Sequence, residues 1–130
     1  MIGIDTNLLV RLLTNDDVVQ ARYAKKLIEE NMIFISKGVL LETEWVLRYT
    51  YELSSNVIHK AFESLLGLAR ITVEDPACII KTMQWYNDGF DFADAMHLAS
   101  SIQIADQFAT LDKVFIKRAK KIKINLITME

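Results

Sequence analysis

Five short strand-like runs alternate with longer stretches of helical spacing, and this alternation limits the fold more than any other feature of the chain. The runs are Met1 to Ile4, Met32 to Ser36, Ile71 to Val73, Gln107 to Thr110 and Ile124 to Ile127. Each is too short for a helix, and most carry isoleucine or valine, which suit a pleated, buried surface. Strand and helix patterns in turn imply an α/β fold with a mostly parallel sheet.

The helical stretches carry their own start and stop signals. Leu8, Leu9, Leu12 and Leu13 recur at helical spacing behind Thr6, an N-cap residue type. Asp16 and Asp17 open a second helix that runs to about Asn31. Gly38 precedes a third, with Leu41, Trp45 and Arg48 along one side. Ser54 and Ser55 cap a fourth, ending near Leu68. Asp75-Pro76 opens a fifth, because proline loses nothing in a first turn, and Gly89 closes it. Asp91 to Ile104 and Asp112 to Ala119 complete the set.

A chain of 130 residues with this pattern makes one domain, spanning residues 1–130. About half the residues are hydrophobic, enough for a sizeable core, and a single proline leaves no disordered tract. Cys78 stands alone, so an intrachain disulfide and a multi-cysteine zinc site are both excluded. Asp5 interrupts the place where a signal peptide needs apolar residues, and no apolar run reaches the ~18 residues of a membrane span. The expectation is a soluble cytoplasmic protein with no membrane contact.

Net charge is only −2, which is not that of a general nucleic-acid binder. Its distribution is uneven. Lys113, Lys117, Arg118, Lys120, Lys121 and Lys123 concentrate six of the 15 basic residues, and Glu130 is the only acid from Lys113 onward. Such a segment can lie along phosphates while the rest of the protein stays acidic. A solvated helix face is the bland reading of the same lysines.

In an open parallel sheet, sites lie outside the carboxyl ends of the strands. Asp5 ends the first run and Asp112 follows the fourth. Glu42 lies early in the helix after the second run. Asp94 comes near the start of the Asp91 helix. Glu42 and Asp94 sit among apolar neighbours, in Leu40-Leu41-Glu42 and Phe92-Ala93-Asp94-Ala95-Met96. A carboxylate at an otherwise buried position costs several kcal/mol unless it is paired or bound to a cation. Oxygen ligands select hard ions, so Mg²⁺ or Mn²⁺ is expected rather than zinc. Such a metal suits phosphodiester hydrolysis. Taken singly, each acid can equally cap a helix or form an ion pair, and Asp5 and Asp112 stand where caps are needed. The joint pattern favours a site.

The blocks Ile4-Asp5-Thr6-Asn7, Leu40-Leu41-Glu42, Asp91-Phe92-Ala93-Asp94-Ala95 and Ala109-Thr110-Leu111-Asp112 resemble, in order and spacing, those of the PIN-domain family. Within it they are similar to the VapC-like toxins of type II toxin–antitoxin pairs. The resemblance spans nearly the whole chain. It implies a PIN-like fold, a five-stranded mostly parallel sheet flanked by helices. It implies a metal-dependent endoribonuclease with Asp5, Glu42, Asp94 and Asp112 as catalytic and metal-holding residues. It also implies a homodimer and a small antitoxin protein that blocks the groove.

Asn7, Asp91 and Thr110 are expected to support that quartet from behind, as hydrogen-bond partners or outer contacts. Asp91 is also a natural N-cap. Glu44 points away from Glu42 around the helix. Arg11, Lys113, Lys117, Lys120 and Lys121 are expected to guide the RNA backbone. His97, one turn beyond Asp94, reads as a core histidine, and His59 as structural. Trp45 is expected in the core or at a dimer interface. The alternative function is a catalytically silent PIN-fold module that binds RNA or protein. A receiver domain fits the length, but its acceptor Asp belongs after the third strand, where Glu74-Asp75-Pro76 opens a helix. A haloacid-dehalogenase-type phosphatase needs an Asp where Asn7 stands.

Overall fold

The computed structural model describes residues 1–129. Five strands and seven helices alternate along it: β1 (Ile2–Gly3), α1 (Thr6–Thr14), α2 (Val18–Glu30), β2 (Ile33–Ile35), α3 (Lys37–Tyr49), α4 (Ser55–Leu66), β3 (Ile71–Val73), α5 (Pro76–Asn87), α6 (Phe92–Ser101), β4 (Phe108–Thr110), α7 (Lys113–Ala119) and β5 (Leu126–Thr128). A 3-10 turn, Lys120–Ile122, extends α7.

Every ladder is parallel. The expected single five-stranded sheet is not formed, however. Strands β1, β2 and β3 pair in that order, and β4 and β5 pair separately. Ile33 lies opposite Ile2 on one side and Ile71 on the other, while Phe108 lies opposite Leu126. The division follows from strand length. At two residues, β1 offers few backbone groups beyond those that pair with β2. The β4–β5 unit is instead tied to the rest by aromatic packing. Phe115 on α7 contacts Phe108 at 5.5 Å between ring centroids and meets Phe90 edge-on at 6.0 Å.

All seven helices start at an Asp or Ser whose side chain accepts the N–H three residues on: Asp5, Asp17, Ser36, Ser54, Asp75, Asp91 and Asp112. Each bond satisfies one of the N–H groups that a helix start leaves without a partner. Thr6 is therefore not the cap of α1 but its first residue. Gly38 lies inside α3, since Ser36 already caps that helix.

The core lies between the three-stranded sheet and the helices, with Leu9, Ile33, Ile35, Leu40, Ile58, Phe62, Phe92 and Leu98 fully buried. Phe92 meets Phe62 and Tyr86 edge-on at 5.6 and 5.0 Å. Burying one such side chain stabilises the fold by roughly 1.5–3 kcal/mol. On α3 the inward face is Leu40, Thr43, Glu44 and Leu47, the spacing of one helical stripe. The stripe expected from Leu41, Trp45 and Arg48 lies to its side, and Trp45 is 59% exposed. Trp45 is thus outside the core and tilts against Tyr49 at 5.3 Å. No helix among the described residues is long and apolar enough to cross a membrane.

Candidate active site

Asp5 and Asp112 occupy equivalent places. Each follows a strand, is exposed, and caps the next helix through one carboxylate oxygen, Asp5 to Leu8 N–H and Asp112 to Phe115 N–H, both at 3.0 Å. Thr110 accepts the Asp112 backbone N–H at 3.1 Å, which fixes the turn after β4. The capping role and an open second oxygen coexist on both acids.

Glu42 is exposed on α3 rather than buried as its apolar neighbours imply. The 3.6-residue period puts Leu40 and Thr43 inward and leaves position 42 on the outer face. The Thr6 hydroxyl donates to Glu42 Oε1 at 3.1 Å. The first and second acidic blocks, far apart in sequence, therefore adjoin. Asn7 is exposed beside them on α1.

Asp94 is half-buried in the first turn of α6. Burial raises its carboxyl above the ordinary range, and the charges of Asp91 and Asp112 push it further in the same direction. His97 and Arg48 oppose the rise. Asp94 and Asp112 thus lie within electrostatic reach of each other. His97 is exposed, not a core residue, because Ala95, Met96, Leu98 and Ala99 take the inward face.

Behind Asp94 stands a partly buried network that the sequence does not announce. Asp91 caps α6 by accepting the Asp94 N–H at 3.0 Å. Its other oxygen pairs with Arg48 Nη2 at 3.1 Å. Arg48 also pairs with Glu44, Nε to Oε2 at 3.0 Å and Nη2 to Oε1 at 3.2 Å. The Tyr86 hydroxyl donates to Glu44 Oε2 at 3.0 Å. Burial raises the Glu44 carboxyl, and Arg48 and Tyr86 pull it back. The same burial, with Glu44 beside it, raises the Tyr86 phenol. The signal in sequence was the pair Glu44 and Arg48 at helical spacing, and Glu44 was set aside in favour of Glu42.

The basic residues divide. Lys113, Lys117, Lys120 and Lys121 are exposed and pair with no carboxylate among the described residues. Arg11 instead faces Asp16 at 3.1 Å, with Gln20 and Tyr51 completing its hydrogen bonds. A phosphate would have to compete for it. The acids after β3 are also engaged: Asp75 pairs with Lys37 Nζ at 2.9 Å, and Glu74 accepts the Lys37 N–H.

The donor chemistry fits a hard cation. Asp5, Glu42 and Asp112 each keep one carboxylate oxygen outside the bonds described, and the Asp94 side chain makes no hydrogen bond among the described residues. The four do not stand as a ready-made cage. Among the described residues, no three His, Cys, Asp or Glu side chains are close enough together to hold one metal ion.

Comparison with solved structures finds the crystal structure of Mycobacterium tuberculosis VapC20, a sarcin–ricin-loop-cleaving toxin. It shares 20% identity, over 90% of this chain and 94% of that one, with a TM-score of 0.45. No curated protein matches. The model of the PIN domain matches residues 2–121, which takes in all four acidic blocks and all but the last strand. On that match, the chain belongs to the PIN domain family.

Proposed function

We propose that this protein is a metal-dependent endoribonuclease that hydrolyses RNA phosphodiester bonds, and that it acts as the toxin of a toxin–antitoxin pair. The observation that carries the reading is the contact between Thr6 and Glu42, which brings two of the four acidic blocks together at the end of β1. The charge of Asp112 adds to the rise of the Asp94 carboxyl, which supports placing the other two blocks on the same edge. Membership of the PIN domain family supports it.

Asp5, Glu42, Asp94 and Asp112 would hold Mg²⁺ or Mn²⁺. Bound there, the ion supplies Lewis acidity toward the phosphate and a more acidic water. Asp91 sets the first turn of α6 and so the direction of Asp94. Thr110 sets the turn that carries Asp112. Asn7 stands beside Asp5 as a further support. Lys113, Lys117, Lys120 and Lys121 attract the RNA backbone. Arg11 assists only by leaving Asp16. A homodimer and a small antitoxin protein belong to the same reading, on the resemblance of the four blocks.

The test is cleavage of total cellular RNA by the purified protein with Mg²⁺ or Mn²⁺, beside EDTA and Asp94→Asn controls. Products with 5′-phosphate and 3′-hydroxyl ends, lost in both controls, support the nuclease. A second reading, a catalytically silent PIN-fold module, is favoured by the lack of a converged ligand triplet among the described residues. Calorimetry separates the two: the silent module takes up no Mn²⁺.

A further inference from the structure

Gly89 has φ +102°, a backbone conformation that side chains other than glycine rarely adopt. Its missing side chain has a second use. A Cβ placed there would lie 2.6 Å from Arg118 Nη1. The guanidinium of Arg118, on α7, is therefore seated against the bare glycine backbone where α5 ends. Arg118 has no carboxylate within ion-pair distance among the described residues.

This guanidinium edges a cavity of about 440 Å³ that also contains Asp94, Arg48, Ser54 and Ser55. Ser54 caps α4, and Ser55 is its first residue. The Ser54 hydroxyl serves Val57 N–H, so the N–H groups of Ser55 and Asn56 have no partner within the helix. The positive end of the α4 dipole thus faces the same space as Arg118. Arg48 adds charge but is already committed to Glu44 and Asp91. Arg118 is the uncommitted cation of this cavity. On its other side it borders a second depression with Lys113, Lys117 and Lys121. A basic path runs from the lysines of α7, past Arg118, to Asp94.

We propose that Arg118, seated on Gly89, forms with the first turn of α4 an anion pocket that takes an RNA backbone phosphate adjacent to the one cleaved at Asp94. The proposal rests on the nuclease reading above. A guanidinium suits this task because its planar fork binds phosphate oxygens in pairs. Gly89 leaves the fork the room that any side chain at that position would take. An acidic segment of a partner protein is the competing occupant. The path of α7 lysines leading to the pocket favours a polyanion that continues along the surface.

Binding of a fluorescein-labelled single-stranded oligouridine, followed by anisotropy in EDTA across a salt series, tests it. Arg118→Gln is expected to weaken binding about tenfold at low salt. The slope of log K against log salt should fall by about 0.7, the share of one phosphate on a single strand. Arg118→Lys should keep the slope and lose part of the affinity. Lys25→Gln, on the exposed face of α2, should change neither. Arg118 is exposed, so its variants remain folded, which thermal melting verifies. An unchanged affinity and slope in Arg118→Gln overturns the pocket and points to a protein occupant. Wild-type protein that fails to bind the RNA at any salt overturns this proposal, and the nuclease reading then stands or falls on the cleavage assay with Mg²⁺ or Mn²⁺.

Discussion

Arg48 reaches from α3 to Asp91, the residue that opens α6, and holds it at 3.1 Å while binding the buried Glu44 one helical turn behind. One guanidinium thereby joins two helices and neutralises a carboxylate that is 1% exposed. Removing it leaves that buried carboxylate without a countercharge, with only the Tyr86 hydroxyl still bonded to it. Arg48→Ala is expected to cost about 3 kcal/mol, the lower end for a broken buried pair, because Arg48 itself is partly exposed. Urea unfolding measures this. A loss below about 1 kcal/mol, the ceiling for a surface pair, would show that the network is only superficial.

Asp5 serves both as a helix cap and as a proposed metal ligand, and two substitutions separate the roles. Asp5→Asn keeps an N-cap residue type and should leave stability nearly unchanged. Asp5→Ala should lose about 1 kcal/mol of stability. RNA cleavage should vanish in both. Full activity in Asp5→Asn, with a normal melt, would reduce Asp5 to a cap.

Asp75 illustrates the pH dependence built into the β3 end of the site edge. The Lys37 ammonium bonds to it and holds its carboxyl below the ordinary range, with Gln103 and the Cys78 N–H adding to the effect. A carboxyl lowered in the folded state stabilises the protein above the usual Asp pKa of about 3.9. That contribution is lost as the pH falls through the lower folded value. Asp75→Asn tolerates the left-handed backbone at this position, φ 54°. Its melting temperature should lie below wild type near neutral pH, and the gap should close in acid. A gap that stays constant would mean that the Lys37 pair contributes nothing.

Phe62 is fully buried and lies edge-on to Phe92, which opens α6. Phe62→Ala should cost about 3–5 kcal/mol through lost burial and a cavity. Denaturant unfolding gives the figure directly. A much smaller loss would mean that the surroundings collapse into the space.

The alternation of strand and helix was legible because periodicity of two kinds is written in the residues themselves. So were the helix starts, since Asp and Ser recur where orphan N–H groups need acceptors. The break between the two ladders was not legible. It depends on β1 being only two residues long, which Met1 to Ile4 does not disclose. The burial of Glu42 was misread because local apolar neighbours say nothing about which side of a helix faces inward. Glu44 is the residue that α3 turns into the core; it meets Arg48 of the same helix and Tyr86 of α5, and Arg48 in turn meets Asp91 at the start of α6. Such a network exists only after those helices meet.

The separate β4–β5 ladder has a kinetic meaning. It shares no backbone hydrogen bonds with β1, β2 or β3 among the described strands, so it can open without breaking theirs. It is held to the rest by side-chain packing, with Phe115 against Phe90 and with Phe108, Ile124 and Leu126 against the core. Amide protons of β4 and β5 should therefore exchange with solvent through a smaller opening than those of β2. Asp112 and Arg118 ride on this more loosely secured unit, whereas Asp5 and Glu42 belong to the larger one. A local opening of that unit would part Asp112 from Asp5 and Glu42 while the three-stranded ladder stays intact.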